Sequence, residues 1–154
     1  MTEYVATVRW ERGDAKFTDN RFSRVHRWEF DGGVTVPASA SPQVVRPPMS
    51  SAEAVDPEEA FVVALSSCHM LWFLSIAAGK GFVVDSYVDR ASGTMGPNAE
   101  RRIAMTGVVL RPDVRFAGEK APTAEEIRDM HEVAHRACFI ANSVRTEVVV
   151  EPRS

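Results

Sequence analysis

Residues 61–81 read FVVALSSCHMLWFLSIAAGKG. The run is apolar almost throughout, yet Ser66, Ser67, Cys68 and His69 sit at its centre. Its length would suit a membrane span. Against a span stand the three serines and the histidine inside it, in a chain otherwise patterned for solution. A buried helix is the better assignment. A helix that is apolar all round must be covered on every side. The chain has 154 residues, 45% hydrophobic and 25% charged. That is enough for one domain, 1–154, with a core of its own. One domain of this size can hardly wrap such a helix alone, so a homodimer with no membrane partner is expected.

The helix has clear ends. Asp56 is an N-cap candidate, Pro57 suits the first helical position, and Glu59 completes a D-x-x-E capping box. Gly79-Lys80-Gly81 supplies the stop. Upstream, residues 37–56 form a Pro/Ser-rich connection without periodicity, a length at which loops are often functional.

Strands are read on both sides. EYVATVRWE and RFSRVHRWEF alternate with period two around a turn-like RGDAKFTDN, and DGG leads into a short VTV. In the second run Phe22, Arg24, His26, Trp28 and Phe30 share one face, which should be the inward one. After the helix come FVVDSYVDRASG and RRIAMTGVVLRP, joined by TMGPNAE with its turn signals. PTAEEIRDMHEVAHRACFIANS is an amphipathic helix with a Thr123–Glu126 capping box, and VRTEVVVEP closes the chain as a strand. Three strands, a buried helix, two strands, an amphipathic helix and a strand make an α+β fold, with antiparallel hairpins carrying the helices.

The net charge is −3, and no basic cluster is interleaved with aromatics, so nucleic acid is not expected as a partner. The N-terminus shows no basic segment followed by an apolar one, and two cysteines are too few for a disulfide-stapled secreted scaffold. The expected compartment is the cytoplasm.

Cys68 and Cys138 lie on apolar surface of the two convincing helices. A buried free cysteine is ordinarily a small inert hydrophobe. A reactive one needs its thiolate stabilised, and the nearest cation sent inward is Arg24, chosen over Arg21 and Arg27 by strand parity. An inward arginine keeps its charge and needs an acid, for which Glu58 is the candidate. The plain alternatives are a snorkelling Arg24 and a Glu58 that complements the helix dipole.

DPEEAFVVALSSC and HRACFIANSVRTEVVVE resemble the two cysteine segments of the OsmC/Ohr family, the osmotically inducible and organic hydroperoxide resistance proteins. The cysteines fall seventy positions apart, as the family spaces them, and the element order agrees. The resemblance implies an OsmC-like fold in an intertwined homodimer. It implies a thiol peroxidase for organic hydroperoxides, with Cys68 as the peroxidatic cysteine and Cys138 resolving it as a disulfide. Arg24 would polarise the Cys68 thiolate and Glu58 would hold Arg24. A thiol reductant such as a dihydrolipoyl group would close the cycle, without metal or cofactor. Where the family often has proline directly after the second cysteine and serine two residues later, this chain has Phe139 and Ala141.

Ten residues separate Glu58 from Cys68, about 15 Å and roughly 80° of azimuth in a straight helix. The family roles therefore predict a break near Leu65–Ser67, with Ser66 or Ser67 capping a second helical segment that points at Cys68. The competing readings are a zinc site on His131, His135 and Cys138, spaced i, i+4, i+7, and a non-catalytic OsmC-like dimer that binds an apolar ligand. For both histidines the bland reading is a solvated helix flank. A Cys–His–Asn hydrolase is disfavoured, because the side chains of Cys68 and His69 diverge by about 100° in a helix.

Overall fold

In the computed structural model of the protein, which describes residues 1–153, Asp56 and Glu59 form the reciprocal cap that their spacing predicts. The Glu59 amide donates to Asp56 Oδ1 at 2.8 Å and the Asp56 amide to Glu59 Oε2 at 3.1 Å. Helix α1 (Pro57–Gly79) starts there. It stops in the six-to-one pattern of a Schellman cap. The Phe82 amide reaches Ala77 O at 3.0 Å and the Gly81 amide Ala78 O at 3.0 Å. Gly81 takes φ +78°, a conformation open to glycine without a Cβ penalty.

The expected break in α1 does not occur. The helix runs unbroken through Ser66 and Ser67. Ser66 turns its hydroxyl outward to Asp89 Oδ2 at 2.5 Å instead of capping a new segment. Cys68 therefore sits in mid-helix and feels no helix N-terminus.

Met1–Ala60 and Phe61–Ser154 form two compact units. The first holds an antiparallel meander of β1 (Ala6–Arg9), β2 (His26–Phe30) and β3 (Thr35–Ala38), with Trp28 opposite Val8 and Val36. Strand parity holds in part. Phe22, Arg24, His26 and Trp28 are less exposed than Ser23, Val25 and Arg27, but Phe30 is 41% exposed. The second run becomes a strand only at His26. The Pro/Ser-rich connection is not structureless. Ser39 binds the Val55 carbonyl through its amide and the Ser51 amide through its hydroxyl, both at 3.0 Å, and Ser50 Oγ donates to Val45 O.

The second unit holds β4 (Val83–Asp89), β5 (Ser92–Pro97), β6 (Ile103–Leu110), β7 (Pro112–Ala117), α2 (Ala124–Ala137), a 3-10 turn (Ala141–Ser143) and β8 (Glu147–Val150). Two long strands were expected between the helices, and there are four. The first expected run breaks at Arg90–Ala91 into β4 and β5, and β5 continues into the expected turn. β7 follows the second run after a corner at Arg111, where no strand was expected. The strands form separate sheets, β4-β7 and β5-β6-β8. The corner at Arg111 has a specific cause. The Arg111 amide leaves the ladder and binds Asp89 Oδ1 at 2.6 Å, and Pro112 opens β7 where a strand tolerates proline. β8 adds parallel to β6, so the second sheet is mixed.

On α1, Leu65, His69, Phe73 and Ala77 are buried, a stripe at spacing four. Phe73 and Ala77 pack with Met130 and Ala134 of α2 and with Phe82 and Val114. Leu65 packs with Val108 and Leu110 of β6. The chain by itself covers only this stripe, and Val63 and Leu71 are each 60% exposed. α2 starts on the predicted capping box, with Glu126 N to Thr123 Oγ1 at 3.1 Å and Thr123 N to Glu126 Oε2 at 2.8 Å.

Candidate active site

Cys68 projects from the partly covered side of α1 and Cys138 ends α2 as its C-cap residue, with extended backbone. Both thiols are free, and they lie close enough to share a hydrogen bond. Cys68 is half-buried and Cys138 is 1% exposed. A cavity of about 500 Å³ opens on Cys68. Its wall is Ala64, Ser67, Leu71, Trp72 and Ser75 of α1 together with Phe139 and Ile140 from the turn after Cys138. Trp72 and Phe139 meet edge to face, 5.4 Å between centroids and 79° between planes. Cys68 lines this cavity, and the buried Cys138 does not.

The turn after Cys138 lacks the family's proline but is well tied. The Asn142 amide binds Cys138 O at 3.0 Å, Asn142 Nδ2 binds Arg136 O at 3.0 Å, and Ser143 Oγ donates to Phe139 O at 2.7 Å. The Ala141 amide points at Cys138 Sγ, 3.4 Å away. Burial pushes the Cys138 thiol up to about 11, against the lowering effect of the Ala141 amide and with a further rise from Cys68. Cys138 thus waits as a neutral thiol.

The other two predicted residues lie in the first unit. Arg24 is half-buried, as parity predicts, but its donors are committed locally. Nη1 donates to Asn20 O at 3.1 Å and to Phe22 O, and Nη2 to Asn20 Oδ1 at 2.7 Å. Its guanidinium carbon lies 3.7 Å above the Phe22 ring. Asn20 supplies two of the three acceptors from a left-handed conformation, φ 60°. No ion pair joins Arg24 to Glu58; Glu58 Oε2 is buried without a hydrogen-bond partner. Arg27 pairs with Glu29 at 2.7 Å.

The large apolar residues of α1 near Cys68 divide. Trp72 lines the cavity, whereas Phe73 is wholly buried in the core and Phe61 packs with Leu65. The zinc set is not assembled either. Among the described residues no three His, Cys, Asp or Glu side chains gather into a metal-ligating group.

His131, read as solvated, is 3% exposed, and His69 is wholly buried. His69 Nε2 lies 3.0 Å from His131 Nδ1, with the rings stacked 5.3 Å apart at 7°. Burial lowers both pKa values to about 4. For His69 the charge of His135 lowers it further and Asp89 opposes; for His131 the second cause is His69. The signal was available: His69 follows Leu65 by four and precedes Phe73 by four, and His131 follows Ile127 by four.

Comparison with known proteins agrees with the fold. The family model for OsmC-like proteins matches residues 50–153. An OsmC-like protein of unknown function from Vibrio cholerae is 56% identical, covers 99% of each chain, and superposes with a TM-score of 0.97. This chain belongs to the OsmC-like family. A Legionella pneumophila protein named an organic hydroperoxide resistance protein and predicted redox protein shares the fold at 16% identity and TM-score 0.68. It covers 99% of this chain and 96% of its own. The organic hydroperoxide resistance protein OhrB of Bacillus subtilis shares it at 16% and 0.65, covering 99% and 98%. No curated protein matches. The family match begins beyond Arg24 and includes Glu58, Cys68 and Cys138.

Proposed function

We propose that this OsmC-like protein is a thiol peroxidase that reduces organic hydroperoxides. One observation carries the reading: a free, half-buried Cys68 opens onto an apolar cavity, and a second, buried free cysteine lies within hydrogen-bonding reach of it. The Cys68 thiolate attacks the outer oxygen of the hydroperoxide. A sulfur–oxygen bond forms, the O–O bond breaks, and the departing alkoxide takes a proton to leave as the alcohol. Cys68 is now a sulfenic acid. Cys138 sulfur attacks Cys68 sulfur, the S–S bond forms, and hydroxide leaves with the Cys138 proton as water. An external dithiol, for which a dihydrolipoyl group is the proposed class, returns two electrons by thiol–disulfide exchange.

For Arg24 and Glu58 we propose the family roles, support of the thiolate and of the guanidinium. The buried, unpartnered Glu58 Oε2 is a carboxylate oxygen that lacks a donor. We also propose a homodimer, since Val63, Leu71 and the 66% exposed Phe139 leave apolar surface open around α1.

One equivalent of cumene hydroperoxide should remove both free thiols and yield a Cys68–Cys138 disulfide. Cys68→Ser should abolish turnover, and Cys138→Ser should leave a sulfenic acid that dimedone traps. Persistence of both thiols after that treatment would sink the proposal.

A further inference from the structure

We propose that His69 and His131 form a latch that sets the approach of Cys138 to Cys68, making them positioning residues for disulfide closure. The proposal rests on the thiol-pair reading above for its biological use. The two sulfurs belong to different elements, one within α1 and one at the end of α2. Closing a disulfide needs Cβ atoms about 3.5–4.5 Å apart with a defined dihedral, so the two helices must hold their register closely. The apolar seam between them cannot do this alone. Burial is non-directional, and methionine, here Met130, adapts to shifts.

The histidine bond is directional. Apart from the contact of the two thiols themselves, His69–His131 is the side-chain hydrogen bond found between α1 and α2 among the described residues. It is tied through each helix to one of the two cysteines. His69 directly follows Cys68, and His131 stands seven residues, two turns, before Cys138 on the same helical face. Stacking of His131 on Phe73, 4.2 Å between centroids, fixes the ring plane and so the direction of the bond.

Packing does not account for the pair. Two apolar side chains would fill the same space without leaving polar atoms unpaired. Instead His69 Nδ1 and His131 Nε2 are both buried without partners, a destabilising arrangement. A polar pair kept in a core at such a cost is best attested where it fixes register. The rings are neutral at pH 7, so one nitrogen donates and the other accepts. His135 of α2 and Asp89 of β4 are the titratable neighbours acting on His69.

The test measures the two thiols against each other without any peroxide. Full-length protein is equilibrated in glutathione redox buffers, and the fraction of Cys68–Cys138 disulfide gives their effective concentration. His131→Phe and His69→Phe keep a stacked ring and delete the bond. Each should lower the effective concentration at least tenfold, raising the potential of the couple by about 30 mV. The reaction of Cys68 with cumene hydroperoxide should change less than threefold, with dimedone now trapping a longer-lived sulfenic acid. His131→Asn places an amide where Nδ1 stands and should recover most of the loss. Should a Phe variant not fold, His131→Leu serves as the bond-deleting variant. Wild-type effective concentration in the bond-deleting variants, or an Asn variant no better than they are, overturns the latch. A wild-type protein inert to peroxide overturns the peroxidase reading instead, and the glutathione titration still decides the latch.

Discussion

The hydroxyl of Ser66 lies 2.5 Å from Oδ2 of Asp89, and the other oxygen of that carboxylate holds the Arg111 amide at 2.6 Å. One side chain thus ties α1 to the corner where β4 ends and β7 begins. Asp89→Ala leaves the Ser66 hydroxyl and the Arg111 amide, both part-buried, without their acceptor. Bonds to a charged acceptor contribute about 1.5–3 kcal/mol each, and a bared donor adds to the loss. Asp89→Ala should lower unfolding free energy by about 2–4 kcal/mol, and Ser66→Ala by about 1–2. Urea unfolding monitored by circular dichroism measures both.

The histidine pair makes the fold acid-sensitive in a defined window. Burial holds both rings near pKa 4 in the folded chain, against about 6.5 when unfolded. Between those values the unfolded chain binds more protons, so stability rises with pH. The contribution is complete above pH 6.5, is lost as pH falls toward 4, and changes no further below. At 1.36 kcal/mol per unit the pair is worth on the order of a few kcal/mol. Urea midpoints at pH 7 and pH 4.5 should differ accordingly. His131→Phe should flatten the dependence, and an unchanged slope in that variant would remove the pair as its source.

The two helices were legible because their signals are local. Asp56–Glu59 and Thr123–Glu126 are capping boxes whatever the rest of the chain does, and both form. The corner at Arg111 was not legible, because it depends on Asp89 reaching the Arg111 amide across the sequence. Ser66 misled for the same reason: a serine in a helix can cap locally, but here a distant carboxylate claims its hydroxyl. Cys68 and Cys138 were readable as a pair from the resemblance and from their helix faces. His131 was missed because its helix face was read for ligand spacing, when its position four residues after Ile127 already placed it toward the core.

Trp72 and Phe139 should tune the substrate under the peroxidase reading. Their edge-to-face pair walls the cavity at Cys68, and it offers apolar area to a bulky group and nothing to hydrogen peroxide. Losing one aromatic wall removes about 1–2 kcal/mol of apolar contact. Phe139→Ala should therefore raise KM for cumene hydroperoxide about five- to thirtyfold, while its rate with hydrogen peroxide stays within about twofold. Steady-state kinetics with both oxidants checks this. Equal losses for the two would show that Phe139 acts on the turn after Cys138 and not on the substrate.

The two thiols should also differ before any oxidant is added. Thiolates alkylate and thiols do not. Cys138 is 1% exposed, and its thiol is held up to about 11 chiefly by burial, so at pH 8 only ~0.1% of it is thiolate. Cys68 opens onto the cavity. Limiting iodoacetamide at pH 8 should label Cys68 first and Cys138 at least tenfold more slowly. Raising the pH toward 10 should speed Cys138 about tenfold per unit while the chain stays folded, since the thiolate fraction is still far from saturation. In urea the two rates should converge, because burial is the first cause of the shift. Peptide mass mapping at short times reads the order. Faster labelling of Cys138 in the folded protein would reverse the assignment of which cysteine meets the reactant first.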